Sequence, residues 1–261
     1  MGFKRVLLLD GLHCGSIWSI MPYRYEWVSG GESKVPQKQI RIANPIQRKL
    51  YAEWIKMITE MTNIHTVIYL GEGADGIDKK SGGKYQWTSD LSVQASCAAN
   101  LLDMIKFKDK KRFYVVQGSN YHVEANLSAD EQLARYLNAE YGTDLLLDIG
   151  GIVFHVCHFI GAAKSSLETE IDLCLSYPQN GHVDIIVRGH KHNFKYAGKR
   201  GVLALQLPSW KAKEDFSRRL GFKYMPQMGY VWVDIYDDGH YEWDSKTFYM
   251  ENGKMDRIVV K

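Results

Sequence analysis

Two histidines one residue apart, His190 and His192, stand in the segment Arg188-Gly189-His190-Lys191-His192, directly after the apolar run Val183-Asp184-Ile185-Ile186-Val187. Neutral imidazole is the commonest nitrogen ligand for a transition metal. The apolar run reads as a buried strand, and Gly189 permits a tight turn with close backbone approach. In an extended segment alternate side chains point the same way, so both imidazoles are expected to face one pocket. A lone His-x-His says little. Four more expected strand ends, however, release residues of ligand type: Asp10 and His13, Glu72 and Asp75, Asn120 and His122, and His158.

Carboxylates and imidazoles together suit Zn, Mn, Fe or Ni, and there are more of them here than one ion uses. A pair of divalent ions about 3.5–4 Å apart, bridged by a carboxylate and a water, would engage them all. Such a pair lowers the pKa of the water between the ions and grips phosphoryl oxygens on either side. In-line attack on a phosphate ester is the reaction this set serves best.

For that chemistry the ligands must converge, and the elements that carry them can be read. Residues 6–9, 66–70, Phe113–Val116, 183–187 and 202–207 are apolar runs expected to be strands. Residues 145–148 and Ile152–Cys157, joined across Gly150-Gly151, read as a hairpin. Residues 229–236 and 240–248 are further strands, turned by Asp237-Asp238-Gly239. Asn44-Pro45 opens a helix in which Leu50, Trp54, Met57, Ile58 and Met61 recur at helical spacing. A second helix is expected over 89–107, and a third opens at the capping box Ser128-x-x-Glu131 and runs to Tyr141. The stretch up to Asn44 reads as irregular and long for a connector. Its Trp18, Tyr23, Tyr25 and Trp27 either pack on the core or form a surface on which nucleic-acid bases stack. Strands and helices alternate in the first half, and hairpins dominate the second. That pattern predicts an α/β (α+β) fold with a partly parallel sheet core, helices outside, and two facing sheets. Residues 1–261 show no repeat or linker and read as one domain. Every candidate cluster follows a strand, where sites in such folds lie.

Taken in order, the motifs resemble those of the calcineurin-like metallophosphoesterases, which carry Asp-x-His, Gly-Asp-x-x-Asp, Gly-Asn-His, a lone His and Gly-His-x-His. Here they stand as Asp10-Gly11-Leu12-His13, Gly71-Glu72-Gly73-Ala74-Asp75, Gly118-Ser119-Asn120-Tyr121-His122, His158 and Gly189-His190-Lys191-His192. The phage and prokaryotic-type branch is the most similar, and Leu207-Pro208-Ser209-Trp210 resembles its Pro-Ala-Trp. The resemblance implies a four-layer α-β-β-α sandwich of mixed sheets and a metal-dependent phosphoric ester hydrolase. It implies a metal site in which His13 and His192 hold one ion, and Asn120, His158 and His190 the other. Glu72 would bridge the ions, and Asp10 would be the first-motif ligand. His122 would protonate the leaving oxygen, oriented by Asp75.

Three departures bear on this. Asp10 stands one position earlier than the family's first Asp, and in a strand one residue reverses the side-chain face unless the backbone bulges. Glu72 replaces an Asp, adding a methylene to a distance two ions must share. Tyr121 separates Asn120 from His122. These departures lead to the expectation of one tightly held ion and one weakly held. The alternative reading is a catalytically impaired binding or structural module on the same fold; a mononuclear oxidative metal protein is a third.

Composition narrows the partners. A net charge of +3 is too small to argue for nucleic acid, so nucleic acid, nucleotide and phosphoprotein all stay open as the phosphate-ester substrate. No apolar run nears the roughly 20 residues of a membrane span, and the first strand does not read as a signal-peptide core. Cys14, Cys97, Cys157 and Cys174 lack metal or disulfide spacing, which fits a reducing cytosol. His65, His182 and His240 read as structural, and His155 as facing away from His158 or supporting it from behind. Arg188 and Lys191 either attract phosphate or are solvated.

Overall fold

The computed structural model describes residues 2–29, 36–77, 82–119, 123–124, 127–159, 166–176, 181–213 and 226–250. In β1 (Phe3–Leu9), Val6, Leu7, Leu8 and Leu9 are all fully buried. A strand covered on both faces reads as a continuous apolar run, and here the two faces belong to different layers. Val6 and Leu8 join one core cluster, Leu7 and Leu9 another.

Five further strands complete the sheet of β1. This strand pairs in parallel with β4 (Ile64–Tyr69) and antiparallel with β14 (Met228–Tyr236). Parallel β5 (Phe113–Val116) and β8 (Glu140–Gly142) extend one side, and antiparallel β15 (Tyr241–Phe248) the other. The order is therefore β15-β14-β1-β4-β5-β8. The second sheet contains β9 (Asp144–Ile149), β10 (Ile152–Cys157), β11 (Ile185–Arg188), β12 (Lys195–Lys199) and β13 (Val202–Gln206), in the order β12-β13-β11-β10-β9. Its three central strands are parallel and its edges antiparallel.

Val6, Leu8, Ile68, Val116 and Val231 of the first sheet meet Phe154, Val156, Ile185, Val187 and Leu205 of the second. The outer face of the first sheet is covered by α1 (Pro45–Glu60), α2 (Leu91–Asp103) and α3 (Ala129–Leu137), through Leu50, Trp54, Cys97, Leu101 and Leu133. On the far face of the second sheet, α4 (Leu167–Ser176) packs Leu167 and Ile171 on Ile186 and Ala204. The layers are α-β-β-α, as expected.

Helix starts follow their caps. The Asn44 side chain accepts from Gln47 N, the Gln47 side chain accepts from Asn44 N, and Pro45 fills the first turn. Ser128 Oγ accepts from Asp130 N. The third helix stops earlier than expected: Asn138 adopts the left-handed conformation (φ 52°) that ends a helix, and residues up to Gly142 form β8 instead.

The stretch expected to be irregular contains a hairpin of β2 (Arg24–Ser29) and β3 (Gln37–Ile42). Val28, Ile40 and Ile42 are exposed in it, so apolar residues do not mark one buried face and the alternation misleads. Tyr25 is buried and stacks on Trp27, with Trp87 closing the cluster, so these rings pack on the core. Tyr23 stays exposed with Arg48 over its ring. A further hairpin pairs β6 (Val123–Glu124) with β7 (Leu127–Ser128). No helix among the described residues is long and apolar enough to cross a membrane.

Candidate metal centre

The loops that leave β1 and β4 run side by side. Gly11 N donates to Gly71 O (3.1 Å), His13 N to Glu72 O (2.8 Å) and Cys14 N to Gly73 O (2.8 Å). These bonds carry His13 to Glu72. Gly71, at φ 88°, sits where an added Cβ would lie 2.4 Å from the backbone nitrogen of Gly118, so only glycine lets the loops after β4 and β5 meet. Asp130, in the first turn of α3, locks that meeting. Its carboxylate accepts from Glu72 N (3.1 Å), Gly73 N (2.9 Å) and Gly118 N (2.9 Å). From the second sheet, His158 follows β10, and Gly189 N donates to His158 O (3.0 Å), which sets the loop carrying His190 and His192 beside it.

That loop is not extended. His190 (φ 68°) and His192 (φ 50°) both take left-handed conformations, as do His13 (φ 46°) and Glu72 (φ 57°). Non-glycine residues adopt this region rarely, and its concentration at one place is typical of functional sites. The consequence corrects the simple alternation argument: the two imidazoles reach different oxygens of one carboxylate.

Glu72 Oε2 lies 3.1 Å from His13 Nε2 and 3.2 Å from His192 Nε2, which are 3.0 Å from each other. Glu72 Oε1 lies 3.2 Å from His158 Nε2 and 3.5 Å from His190 Nδ1, which are 3.3 Å apart. Each group is a triangle. Hydrogen bonds explain such a triangle poorly, because two imidazole N–H groups aimed at one oxygen would also face each other. Ligands around a common centre explain it well: atoms about 2.1 Å from an ion at tetrahedral angles lie roughly 3.4 Å apart. Both groups of His and Glu side chains could thus hold a metal ion.

The rings are oriented from behind. His158 Nδ1 lies 2.6 Å from Leu70 O, leaving Nε2 to face Glu72. His13 Nδ1 lies 3.2 Å from Asp75 Oδ1. His13, Glu72, His158 and His192 are buried, whereas the His190 side chain is 37% exposed and marks the side open to solvent. Burial pulls the His158 pKa down, but the Glu72 and Asp10 carboxylates outweigh it and push it up to about 9. His13 is raised likewise, with burial and Lys211 opposed by Glu72 and Asp75. A pocket that draws protons onto its imidazoles is one that attracts cations.

Asp10, expected among the ligands, lies outside both triangles. Its Oδ2 accepts from His190 N (3.1 Å), and its Oδ1 lies 3.7 Å from His158 Nδ1, the ring nitrogen that faces away from Glu72. The offset of one residue has put this carboxylate behind the imidazoles. Asp75 contacts His13, Lys211 Nζ (2.7 Å) and Gln86 Nε2 (3.5 Å). Asn120 and His122 lie outside the described residues. Arg188 is neither solvated nor turned to the site: it is buried against Glu170 (3.1 Å) and His155. His155 contacts Asp144 and Arg188 on the far side of the strand, His65 accepts from Arg5 N, and His182 and His240 are at the surface against Asp184 and Asp238. Sequence reasoning missed Asp130 and Lys211. Asp130 offers only the weak signal of an acid in a helix first turn, and Lys211 offers none.

No family model and no curated protein matches the sequence. Among solved structures the chain is similar to Vps29 complexed with zinc from Entamoeba histolytica, at TM-score 0.47 and 13% identity over 93% of this chain and 98% of that one. It is also similar to an archaeal phosphodiesterase, at TM-score 0.46 and 10% identity over 93% and 99%. A conserved predicted phosphoesterase from Streptococcus pneumoniae is similar at TM-score 0.43 and 12% identity over 95% and 98%.

Proposed function

We propose that the protein is a metal-dependent phosphoesterase acting on phosphate mono- or diesters at a dinuclear site. The observation that carries this reading is the division of Glu72: each oxygen faces its own pair of imidazoles, at 3.1–3.2 Å and 3.2–3.5 Å. One carboxylate is thereby shared between two ligand groups. His13 and His192 would hold one ion, His158 and His190 the other, and Glu72 both. Divalent ions there supply Lewis acidity, which polarises a phosphoryl oxygen and makes water a nucleophile near neutral pH. Glu72 and the buried imidazoles keep that chemistry in a low-dielectric pocket, and the exposed edge at His190 is the side from which an ester approaches. Asn120 as a further ligand and His122 as the acid on the leaving oxygen enter from the sequence resemblance. In Asp10, a carboxylate lying outside both groups, a second reading finds support: a metal-binding module without turnover.

Metal analysis of protein prepared without chelators, joined to hydrolysis of bis-nitrophenyl phosphate and nitrophenyl phosphate with added Mn, tests this. The expected result is bound metal and Mn-stimulated hydrolysis of at least one ester. His192→Ala and His190→Ala should each lower the metal content of a folded chain. Folded, metal-free protein that hydrolyses neither ester would refute the proposal, and bound metal without hydrolysis would favour the second reading.

A further inference from the structure

The two imidazole pairs are backed differently. Directly behind His158 stands a neutral peptide oxygen, Leu70 O at 2.6 Å, with the Asp10 carboxylate beyond it at 3.7 Å. Behind His13 stands a carboxylate: Asp75 Oδ1, 3.2 Å from Nδ1. That same oxygen takes Lys211 Nζ at 2.7 Å, and both side chains are nearly buried, at 9% and 13% exposure. Asp75 is tied to the His13 loop through its backbone as well, since Asp75 N donates to Cys14 O (2.8 Å). Lys211 is fixed by a short pairing of its backbone with Ser19. Burial pushes the Asp75 carboxyl up, but Lys211 and His13 together outweigh it and hold it below its ordinary value.

We infer that Asp75 and Lys211 are a positioning pair for His13, and that they make His13–Glu72–His192 the tighter of the two metal subsites. The inference rests on the metal reading above. A carboxylate 3.2 Å from Nδ1 favours the tautomer with its proton on that nitrogen, which leaves the Nε2 lone pair facing Glu72 and His192. Asp75 alone would be a buried charge facing a neutral ring. Lys211 compensates that charge and pins the oxygen that holds the imidazole. At His158 Nδ1 the closest contact is the peptide oxygen, the Asp10 carboxylate stands farther off at 3.7 Å with no lysine holding it among the described residues, and His190 lies at the solvent-exposed edge. The two subsites are therefore unequal, through the residues behind the ligands as well as through the exposure of His190.

Titrating metal-stripped protein with Zn against a chelating indicator resolves two affinities if this is right. Asp75→Ala should weaken the tighter step by roughly 10–100-fold, the usual effect of removing a partner behind a ligating histidine, and leave the weaker step nearly unchanged. Lys211→Met should act in the same direction, and Lys211→Arg should restore affinity. A second readout needs no metal. In nitrogen-detected NMR of the stripped protein at alkaline pH, His13 should show its proton on Nδ1, and this signature should be lost in Asp75→Ala. Asp75→Asn, which keeps an acceptor oxygen, serves if the alanine variant melts early. Equal weakening of both steps, or unchanged affinities in a folded Asp75→Ala chain, would overturn the inference. A wild-type chain that binds no ion would refute the proposed function, and with it the ranking of the subsites. The NMR signature would still report whether Asp75 positions His13.

Discussion

Shortening Glu72 by one methylene tests the centre most directly. Read from sequence, the glutamate looks like a flaw that aspartate would repair. The structure argues the reverse. The Glu72 backbone is held on both sides, with its N–H on Asp130 Oδ2 at 3.1 Å and its carbonyl accepting from His13 N at 2.8 Å. Gly71 is already against Gly118, so the loop has no room to advance. In Glu72→Asp the carboxylate therefore retreats by about 1.2 Å, the projection of one carbon–carbon bond. Take half a charge per oxygen, a dication at a ligand distance of about 2.1 Å and an effective dielectric constant of about 20. The retreat then costs about 3 kcal/mol per ion, or roughly a hundredfold in affinity. Both subsites should suffer, because both oxygens withdraw together. The assay is the chelator-competition titration, run on Glu72→Asp and wild type at one pH and ionic strength. Tighter binding at either subsite, or a loss confined to one, would show that the loop does move and that Glu72 is not the shared element.

Two further outcomes are expected. Asp130→Ala leaves the buried N–H groups of Glu72, Gly73 and Gly118 without their acceptor, at about 1–3 kcal/mol for each that finds no water; urea unfolding should show a loss of about 3 kcal/mol or more, with metal affinity falling too, and a loss below about 1 kcal/mol would contradict the role given to Asp130. Trp210→Ala removes a fully buried ring packed edge-on against Trp54 at 4.9 Å, and should destabilise by about 3–5 kcal/mol while leaving the ligand residues unchanged; a loss well under 3 kcal/mol would mean that the α1 layer collapses into the space.

The fold was legible where burial on both faces leaves continuous apolar runs, as in β1 and at Ile185-Ile186-Val187, and where capping chemistry is local, as at Asn44 and Gln47. That His13, Glu72, His158, His190 and His192 gather at one place was legible because ligand-type residues follow those runs. What could not be read depends on partners far along the chain. Arg188 looked like a candidate for phosphate until Glu170, on another element, claimed it. His190 and His192 do share one pocket around Glu72, but through left-handed turns and not through strand alternation. The hairpin of β2 and β3 escaped because Val28, Ile40 and Ile42 are exposed while Tyr25 is buried, so apolar type marked no single face.

Asp10 poses the sharpest question, since its carboxylate is fully buried, belongs to neither triangle although it lies against His158 and His190, and keeps an oxygen, Oδ1, with no hydrogen-bond partner among the described residues. Burial raises its pKa to about 6, despite the opposing pull of His158. The sign follows from linkage. A carboxyl whose folded pKa lies above its unfolded value of 3.8 binds protons better in the folded state, so it lowers stability increasingly as pH rises from about 4 to about 6. A shift of about two units corresponds to about 3 kcal/mol at pH 7.5, and roughly half of that at pH 5. Asp10→Asn keeps an oxygen for the His190 N–H while removing the charge. Metal-stripped Asp10→Asn should therefore unfold at higher urea than wild type at pH 7.5, with the gap shrinking at pH 5. The loaded proteins should rank the other way, because the charge beside His158 and His190 then faces a cation. A destabilising charge kept against the imidazoles is the stability cost expected of a pocket that binds a cation. If Asp10→Asn is no more stable than wild type when stripped, or binds metal equally well when loaded, that argument fails and Asp10 is only a hydrogen-bond acceptor for the His190 loop.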